Sequence, residues 1–376
     1  MSYSSIPEKV KLVLIGKSGG KCEFRGCNKI ILEEALTRKS GIYSNFAHII
    51  ADRENGPRGD KNLSSKLGQE ENNIMVMCFE HHKFIDENAN EYTVEILNEM
   101  KKEHENYIKE IMKIPKNNSV VAIKYSSSIS DRIPIIPDNN IKNSIIKNNM
   151  YCSGEIIDLS GNTYDEKNSG SFFKMEACNL KACFLQNIKP VQKRCGNIKM
   201  YLYAIAPQPL LIYLGTLFSD ISNVEVQQLQ REPTQEWYLS DKKDIEFDVQ
   251  LSLPKRKHSK VALNISITAD ISEKRIRDVV GEEFDIVKLE SNLHGNDIIK
   301  SKEQLKIFKE KIREAYEKIK DNYGRNCEIN IFPAMPISIA IEAGRCWMKK
   351  AHPRLVIYDE KNGFKKALEI EYEGEN

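Results

Sequence analysis

Cys22-Glu-Phe-Arg-Gly-Cys27, followed downstream by Cys78-Phe-Glu-His81-His82, constrains the fold of this chain more than any other feature. Four borderline-soft ligands, two from a tight turn and two from a helix, can close a tetrahedral zinc site and order a small domain around one ion. On a helix Cys78 and His81 stand at i and i+3 and face the same way, and His82 at i+4 shares that face as an alternative fourth ligand. Such a site contributes on the order of 10 kcal/mol to folding. The glycines ahead of Cys22 suit a backbone that must fold back around an ion. Nine cysteines is an odd number, and this spacing points to metal rather than disulfides.

Three further groups share the stretch. His48, in Phe46-Ala47-His48-Ile49, is placed as a general base that takes a proton from water attacking a phosphodiester. His82 is then free to bind a divalent cation, which stabilises charge on the phosphate and the leaving 3′ oxygen. Asp86, one turn beyond, is a second cation ligand or a support behind the first. Asn73 holds either the His48 imidazole or its loop. Locally, residues 31–38 have helical character, 42–50 and 73–77 read as strands, and Cys78 opens a helix that 92–112 continues.

In these residues the region from about Gly16 to His104 resembles an HNH endonuclease, with Ala47-His48-Ile49, Asn73 and His82 as its His, Asn and His. The resemblance implies a zinc-supported ββα-metal finger and metal-dependent DNA cleavage, with Mg2+, Mn2+ or Ni2+ as the cation. The chain departs from the pattern at Ala47, where many members carry an Asp or His ligand, so the cation has fewer protein ligands. It also has His81 where many have Cys.

At 376 residues and 43.2 kDa, with 40% hydrophobic and 29% charged residues, the chain is long enough for several soluble domains. No apolar run approaches the roughly 18 residues of a membrane span, and residues 1–7 lack a signal-peptide core, so a cytoplasmic protein without a membrane partner is expected. Net charge is only +2, with 56 basic against 54 acidic residues, which argues against nucleic-acid binding through the whole surface but not through a local face.

Pro, Ser and Asn mark residues 113–149 as a linker between an N-terminal domain, 1–112, and a C-terminal one, 150–376. In the latter, strands over 200–205, 244–252, 260–268, 327–332, 354–358 and 367–372 alternate with helices over 210–218, 302–322 and 337–349. The predicted class is therefore α+β at the N-terminus and α/β, with a largely parallel sheet, beyond it. Ala206-Pro207-Gln208-Pro209…Gly215 and Pro333-Ala334-Met335-Pro336…Gly344 form an internal repeat of strand, proline turn and helix. Two such Rossmann-like halves, with helix N-termini at the C-terminal ends of their strands, suit a ligand with repeated phosphates.

These same segments, with Val356-Ile-Tyr-Asp359, resemble a SAVED domain, a fused pair of CARF-like units that binds cyclic oligonucleotides. The combined HNH–SAVED order implies an effector of bacterial cyclic-oligonucleotide anti-phage signalling (CBASS). Its expected activator is a cyclic di- or trinucleotide, and its substrate is double-stranded DNA cut with little sequence preference. Free protein is expected to have its HNH sites held apart or disordered, and ligand to drive a homo-oligomer of two to four chains. Candidate ligand residues are Pro207, Gln208, Pro333, Ala334 and Met335 at the turns, and Ser266 and Thr268 at a strand end. Arg231, Lys193 and Arg194 are candidates for phosphates, and Trp237 for base stacking or the core. The rival readings are a restriction-like endonuclease with a C-terminal DNA-recognition domain, and a non-catalytic zinc-finger regulator with a small-molecule sensor.

Overall fold

The computed structural model describes residues 5–115, 117–129, 132–161, 171–218, 222–242 and 246–371. They form two compact units, Met1–Lys116 and Asn117–Asn376.

In the first unit, α1 (Glu8–Lys17) precedes a two-stranded antiparallel ribbon of β1 (Asn45–His48) and β2 (Ile74–Met77). A short α2 (Ser64–Leu67) lies in the long connection between these strands. Then come α3 (Phe79–Glu87) and α4 (Val94–Lys113). Thr93 starts α4 by accepting the Ile96 N–H, and Leu97, Met100 and Ile108 face the core at helical spacing. The helix expected over 31–38 is instead a turn, because the Glu34 carboxylate accepts the N–H groups of Leu36 (3.1 Å) and Thr37 (2.6 Å).

The second unit begins earlier than its sequence suggested. Residues 113–149, expected as a linker with a short helix over 140–150 packed on the next domain, contain β3 (Ser119–Ser126) as well as that helix, α5 (Asp138–Lys147). Here β3 is an interior strand: Val120, Val121, Ala122 and Ile123 are buried between parallel neighbours. Next come β4 (Tyr151–Cys152), β5 (Ile157–Asp158), α6 (Phe172–Cys195), β6 (Met200–Ile205), α7 (Gln208–Leu217) and β7 (Val224–Val226). The first sheet runs β4-β3-β6-β7, all parallel, with β5 also on β3. A small ribbon of β8 (Leu229–Gln230) and β9 (Glu236–Trp237) follows.

The second sheet uses β10 (Val249–Ser252), β11 (Lys260–Ser266), β12 (Phe284–Ser291), β13 (Glu328–Ala334), β14 (Arg354–Glu360) and β15 (Phe364–Ile370), interleaved with α8 (Glu273–Val280), α9 (Lys302–Tyr323) and α10 (Ile337–Cys346). Its order is β10-β12-β11-β13-β14-β15, with four parallel strands inside and antiparallel edges. The Ser301–Gln304 capping box starts α9, which buries Leu305, Phe308, Ile312, Ala315, Tyr316 and Ile319 on one face. Of the expected strands 244–252 and 367–372, residues 244–245 and 372 lie outside the described residues.

The repeat meets itself at α7 and α10. Gly215 and Gly344 let the two helices touch backbone to backbone: a Cβ on Gly215 would overlap the Ile341 carbonyl oxygen, and one on Gly344 the Ile212 carbonyl oxygen. One apolar core then runs through both halves, from Leu202, Leu210 and Leu214 to Phe308, Ile331 and Ile341.

Candidate functional site

In the first unit Cys22, Cys27, Cys78 and His81 bring four ligand atoms within 4.8 Å of one another. His81 Nδ1 lies 3.1 Å from Cys78 Sγ and 3.8 Å from Cys22 Sγ. Zinc with bonds of about 2.0–2.3 Å separates its ligands by roughly 3.4–3.8 Å, so the set fits an ion of that size. Between the two histidines the geometry selects His81, whose ring stacks on Phe24 at 4.1 Å, whereas the His82 ring turns to Asn45. Gly19 and Gly20 take left-handed φ values of 62° and 68°, and the turn they allow returns Cys22 N–H to Lys29 O at 3.0 Å.

Glu23 stitches this knuckle to β2. Its N–H donates to Val76 O at 2.9 Å and its carboxylate accepts Val76 N–H at 2.6 Å. Burial raises that carboxyl to about 7, against the pull of the Lys101 charge. Burial likewise pushes the Cys22 and Cys78 thiols above their ordinary range, so a cation entering the cluster must expel their protons.

On the ribbon beside this cluster, half-buried His48 contacts Gly68 O through Nε2 at 2.9 Å. A carbonyl only accepts, so Nε2 carries the hydrogen and Nδ1 keeps its lone pair. Asn73 does not reach the imidazole. Its amide accepts Ile50 N–H and donates to Ile50 O, both at 2.9 Å, and donates to Leu67 O at 3.2 Å. Of its two expected roles it fills the second: it fixes the backbone that leaves His48.

His82 Nδ1 lies 2.8 Å from the Asn45 side-chain amide, and Nε2 lies 3.5 Å from Asp86 Oδ2. Asp86 Oδ1 accepts from Arg58 Nη2 at 2.8 Å. Arg58, with its side chain only 4% exposed, also donates to Ile49 O and Ile85 O at 2.8 Å. The Asp86 carboxylate is thus committed to Arg58 and to the far side of the His82 ring, which makes it a support behind His82 rather than a neighbouring ligand. Burial depresses the His82 pKa; Asp86 opposes this, while the Arg58 charge adds to it. The sequence reading missed Asn45 and Arg58. A polar residue on the same strand as His48, and an arginine inside a Gly-Pro-Arg-Gly loop, were the available signals.

In the second unit the two proline turns meet. The Gln208 side chain accepts the Met335 N–H at 3.1 Å, linking one repeat to the other. Gln228, which the sequence reading missed, accepts the N–H of Ser338 at 3.0 Å and its hydroxyl at 2.7 Å, and so caps α10 from the other half. Pro207 and Gln208 are half-buried, as are Thr268 and Ala334, whereas Pro333 and Met335 are buried in the strand end and core.

Of its two expected places Trp237 takes the core, and the expectations for Ser266 and for Lys193 and Arg194 need correction. Trp237 is a core residue, 2% exposed, meeting the Tyr203 ring edge-on at 5.4 Å, so it cannot stack on a base. Ser266 is fully buried and spends its hydroxyl on Asn264 and the Ile271 N–H. Lys193 and Arg194 end α6, just ahead of β6, and so lie at the end of the first sheet opposite the proline turn. Arg231 is exposed, its N–H bound to Asp297 at 2.9 Å.

Residues 184–370 match the family described as the SMODS-associated and fused to various effectors sensor domain (SAVED), so the second unit carries a SAVED domain. Among solved structures, the chain is similar to a SAVED/CARF-domain receptor, Cap4, of Acinetobacter baumannii, determined with the cyclic trinucleotide 2′3′3′-cAAA: identity is 12% and the TM-score 0.44, over 84% of this chain and 71% of that one. It is also similar to the Cap4 receptor of Moraxella osloensis, with 13% identity and a TM-score of 0.37 over 83% of this chain and 70% of that one. Comparison with curated proteins finds no match. Among the described residues no helix is long and apolar enough to cross a membrane.

Proposed function

We propose that this protein is an anti-phage effector in which residues 1–116 form an HNH-type DNA endonuclease and the SAVED domain senses a cyclic oligonucleotide. The observation that carries the nuclease reading is the His48 ring, fixed through Nε2 by Gly68 O so that Nδ1 is the nitrogen left to take a proton, on the same ribbon that faces His82. The sensor reading rests on the SAVED match over residues 184–370.

In this mechanism His48 Nδ1 takes a proton from water as the water oxygen forms a bond to phosphorus and the 3′ oxygen departs. His82, through Nδ1, would hold the divalent cation in place of the Asn45 amide nitrogen, which lies 2.8 Å from it. When bound, that cation stabilises charge on the phosphate and the leaving oxygen. Arg58 and Asp86 orient the His82 ring, and Asn73 holds the His48 loop. Cys22, Cys27, Cys78 and His81 would hold a structural zinc apart from the chemistry. The cyclic di- or trinucleotide binds at the C-terminal strand ends, around the Gln208–Met335 junction.

The test incubates purified protein with plasmid and a panel of cyclic di- and trinucleotides in Mg2+, Mn2+ or Ni2+. Activator-dependent degradation that His48→Ala abolishes, with ligand binding retained, is the expected result. Intact plasmid under every combination, or nicking that survives His48→Ala, refutes the assignment.

A further inference from the structure

The four parallel strands of the second sheet give it two chemically different ends. Their C-terminal ends carry the paired turns; their N-terminal ends carry cations. The loop from β10 to β11 reads Leu253-Pro-Lys255-Arg256-Lys257-His258-Ser259, with its Lys and Arg side chains exposed. It is held in one shape by buried Asp285 at the start of β12, which accepts the N–H groups of Lys257 (3.0 Å) and His258 (3.2 Å) and the Tyr323 hydroxyl (2.9 Å). The Tyr323 ring lies beneath the Arg256 guanidinium at 5.4 Å.

Exposed Arg325, ahead of β13, and Lys350, ahead of β14, extend the same edge, beside a 320 Å³ cavity lined in part by Arg325, Lys349 and Arg354. Acidic residues are present here, but Lys260 takes Glu283 at 3.1 Å, and Arg354 takes Glu328 and Glu371. Among the described residues Lys255, Arg256, Lys257, Arg325 and Lys350 have no carboxylate partner within ion-pair range. Three strand spacings cover about 14 Å, over which one strand of duplex DNA presents roughly four phosphates.

We propose that this N-terminal edge of the second sheet is a binding surface for the phosphate backbone of duplex DNA, with the sensing turns at the opposite end of the same strands. The inference rests on the reading of the first unit as a DNA-cutting module. An exposed lysine loop has no need of a buried carboxylate to fix its backbone unless its shape matters. Arg256 rests over the Tyr323 ring with its side chain exposed, and contacts to phosphates alone carry no sequence information, which suits cutting without sequence preference.

The test measures duplex binding by full-length His48→Ala protein across a salt series, with and without the triple substitution Lys255→Ala, Arg256→Ala, Lys257→Ala. Each phosphate contact contributes about −0.9 to the slope of log affinity against log salt, so the triple variant should lower its magnitude by roughly 2–3 and weaken binding about tenfold or more at 0.1 M salt. Arg325→Ala with Lys350→Ala should remove a further one to two, with melting temperatures unchanged in both variants. An unchanged slope overturns the surface while leaving the nuclease reading intact; wild-type protein that neither binds nor cuts DNA under any activator overturns both. Loss of binding to phosphatidylserine vesicles with duplex binding retained would assign the edge to a membrane and refute the proposal.

Discussion

Arg58 is the residue on which the candidate site leans most heavily, and its removal has a magnitude that the contacts supply. The guanidinium donates at 2.8 Å to Ile49 O, to Ile85 O and to Asp86 Oδ1, with a longer approach to Tyr92 O at 3.5 Å. It thereby ties the exit of β1, the end of α3 and the support of His82 to one buried group. Hydrogen bonds from a charged donor are worth about 1.5–3 kcal/mol each, and a buried carbonyl left bare costs about 1–3 kcal/mol. The Asp86 side chain is 34% exposed, so water screens that part and it adds little. Arg58→Ala should therefore destabilise the first unit by about 3–5 kcal/mol, the range for breaking a buried charged network. Amide hydrogen exchange resolved by peptide reads this unit separately from the second. Peptides covering 45–50 and 79–87 should exchange about a hundredfold faster or more, since about 1.4 kcal/mol is a factor of ten. Arg58→Lys, with one ammonium for three divergent acceptors, should recover less than half of the loss. Exchange within about threefold of wild type in Arg58→Ala, or full rescue by lysine, would refute the reasoning.

Other substitutions test separate parts. Cys78→Ser should remove bound metal, counted per chain by elemental analysis, and with it stabilisation on the order of 10 kcal/mol from the first unit, leaving the melting of the second unchanged; retained stoichiometric metal would exclude the four-ligand cluster. Gly344→Ala drives a methyl into the Ile212 carbonyl and should cost at least about 1–3 kcal/mol by forcing α7 and α10 apart, seen as a lower melting temperature of the second unit. Trp237→Ala should cost about 3–5 kcal/mol, whereas Trp237→Phe should fold and bind cyclic nucleotide nearly as wild type; a well-folded Phe variant that has lost ligand would restore the base-stacking role.

The metal cluster and the alternation of strands and helices were legible because each depends on residue type and local spacing. Cys22, Cys27, Cys78 and His81 converge as their pattern implied, and the two proline turns do open helices that pack on each other. What failed needed strand direction or sheet neighbours. Residues 120–123 are apolar without alternation, as an interior parallel strand must be, and their Ser- and Pro-rich surroundings disguised them as a linker. Lys193 and Arg194 look suited to phosphate until the register of α6 and β6 puts them at the wrong end. A tryptophan among Gln235, Glu236 and Tyr238 looks exposed until Tyr203 and Leu229 close over it. Asn45 and Arg58 act across 37 and 28 residues, on His82 and Asp86, which no local pattern encodes.

The origin of these positioning contacts also bears on control. In the proposed site His48 is held by Gly68, its loop by Asn73, His82 by Asn45 and Asp86, and Asp86 by Arg58, all within residues 45–86. Under the proposed function this favours separated sites over disordered ones as the form of inactivity: a cyclic nucleotide bound to the second unit would find no broken catalytic geometry to repair. A ligand shifts an equilibrium only by its differential affinity for two states, and here those states would be unassembled and assembled chains. One His48 accounts for one strand scission, so a double-strand break by this chemistry calls for two units on one duplex. With saturating activator, the initial rate of linearising a plasmid should therefore rise more steeply than the first power of protein concentration, while nicking by dilute protein persists. A linearisation rate strictly proportional to protein concentration, from well below to well above the assembly midpoint measured by sedimentation, would place control inside the single chain instead.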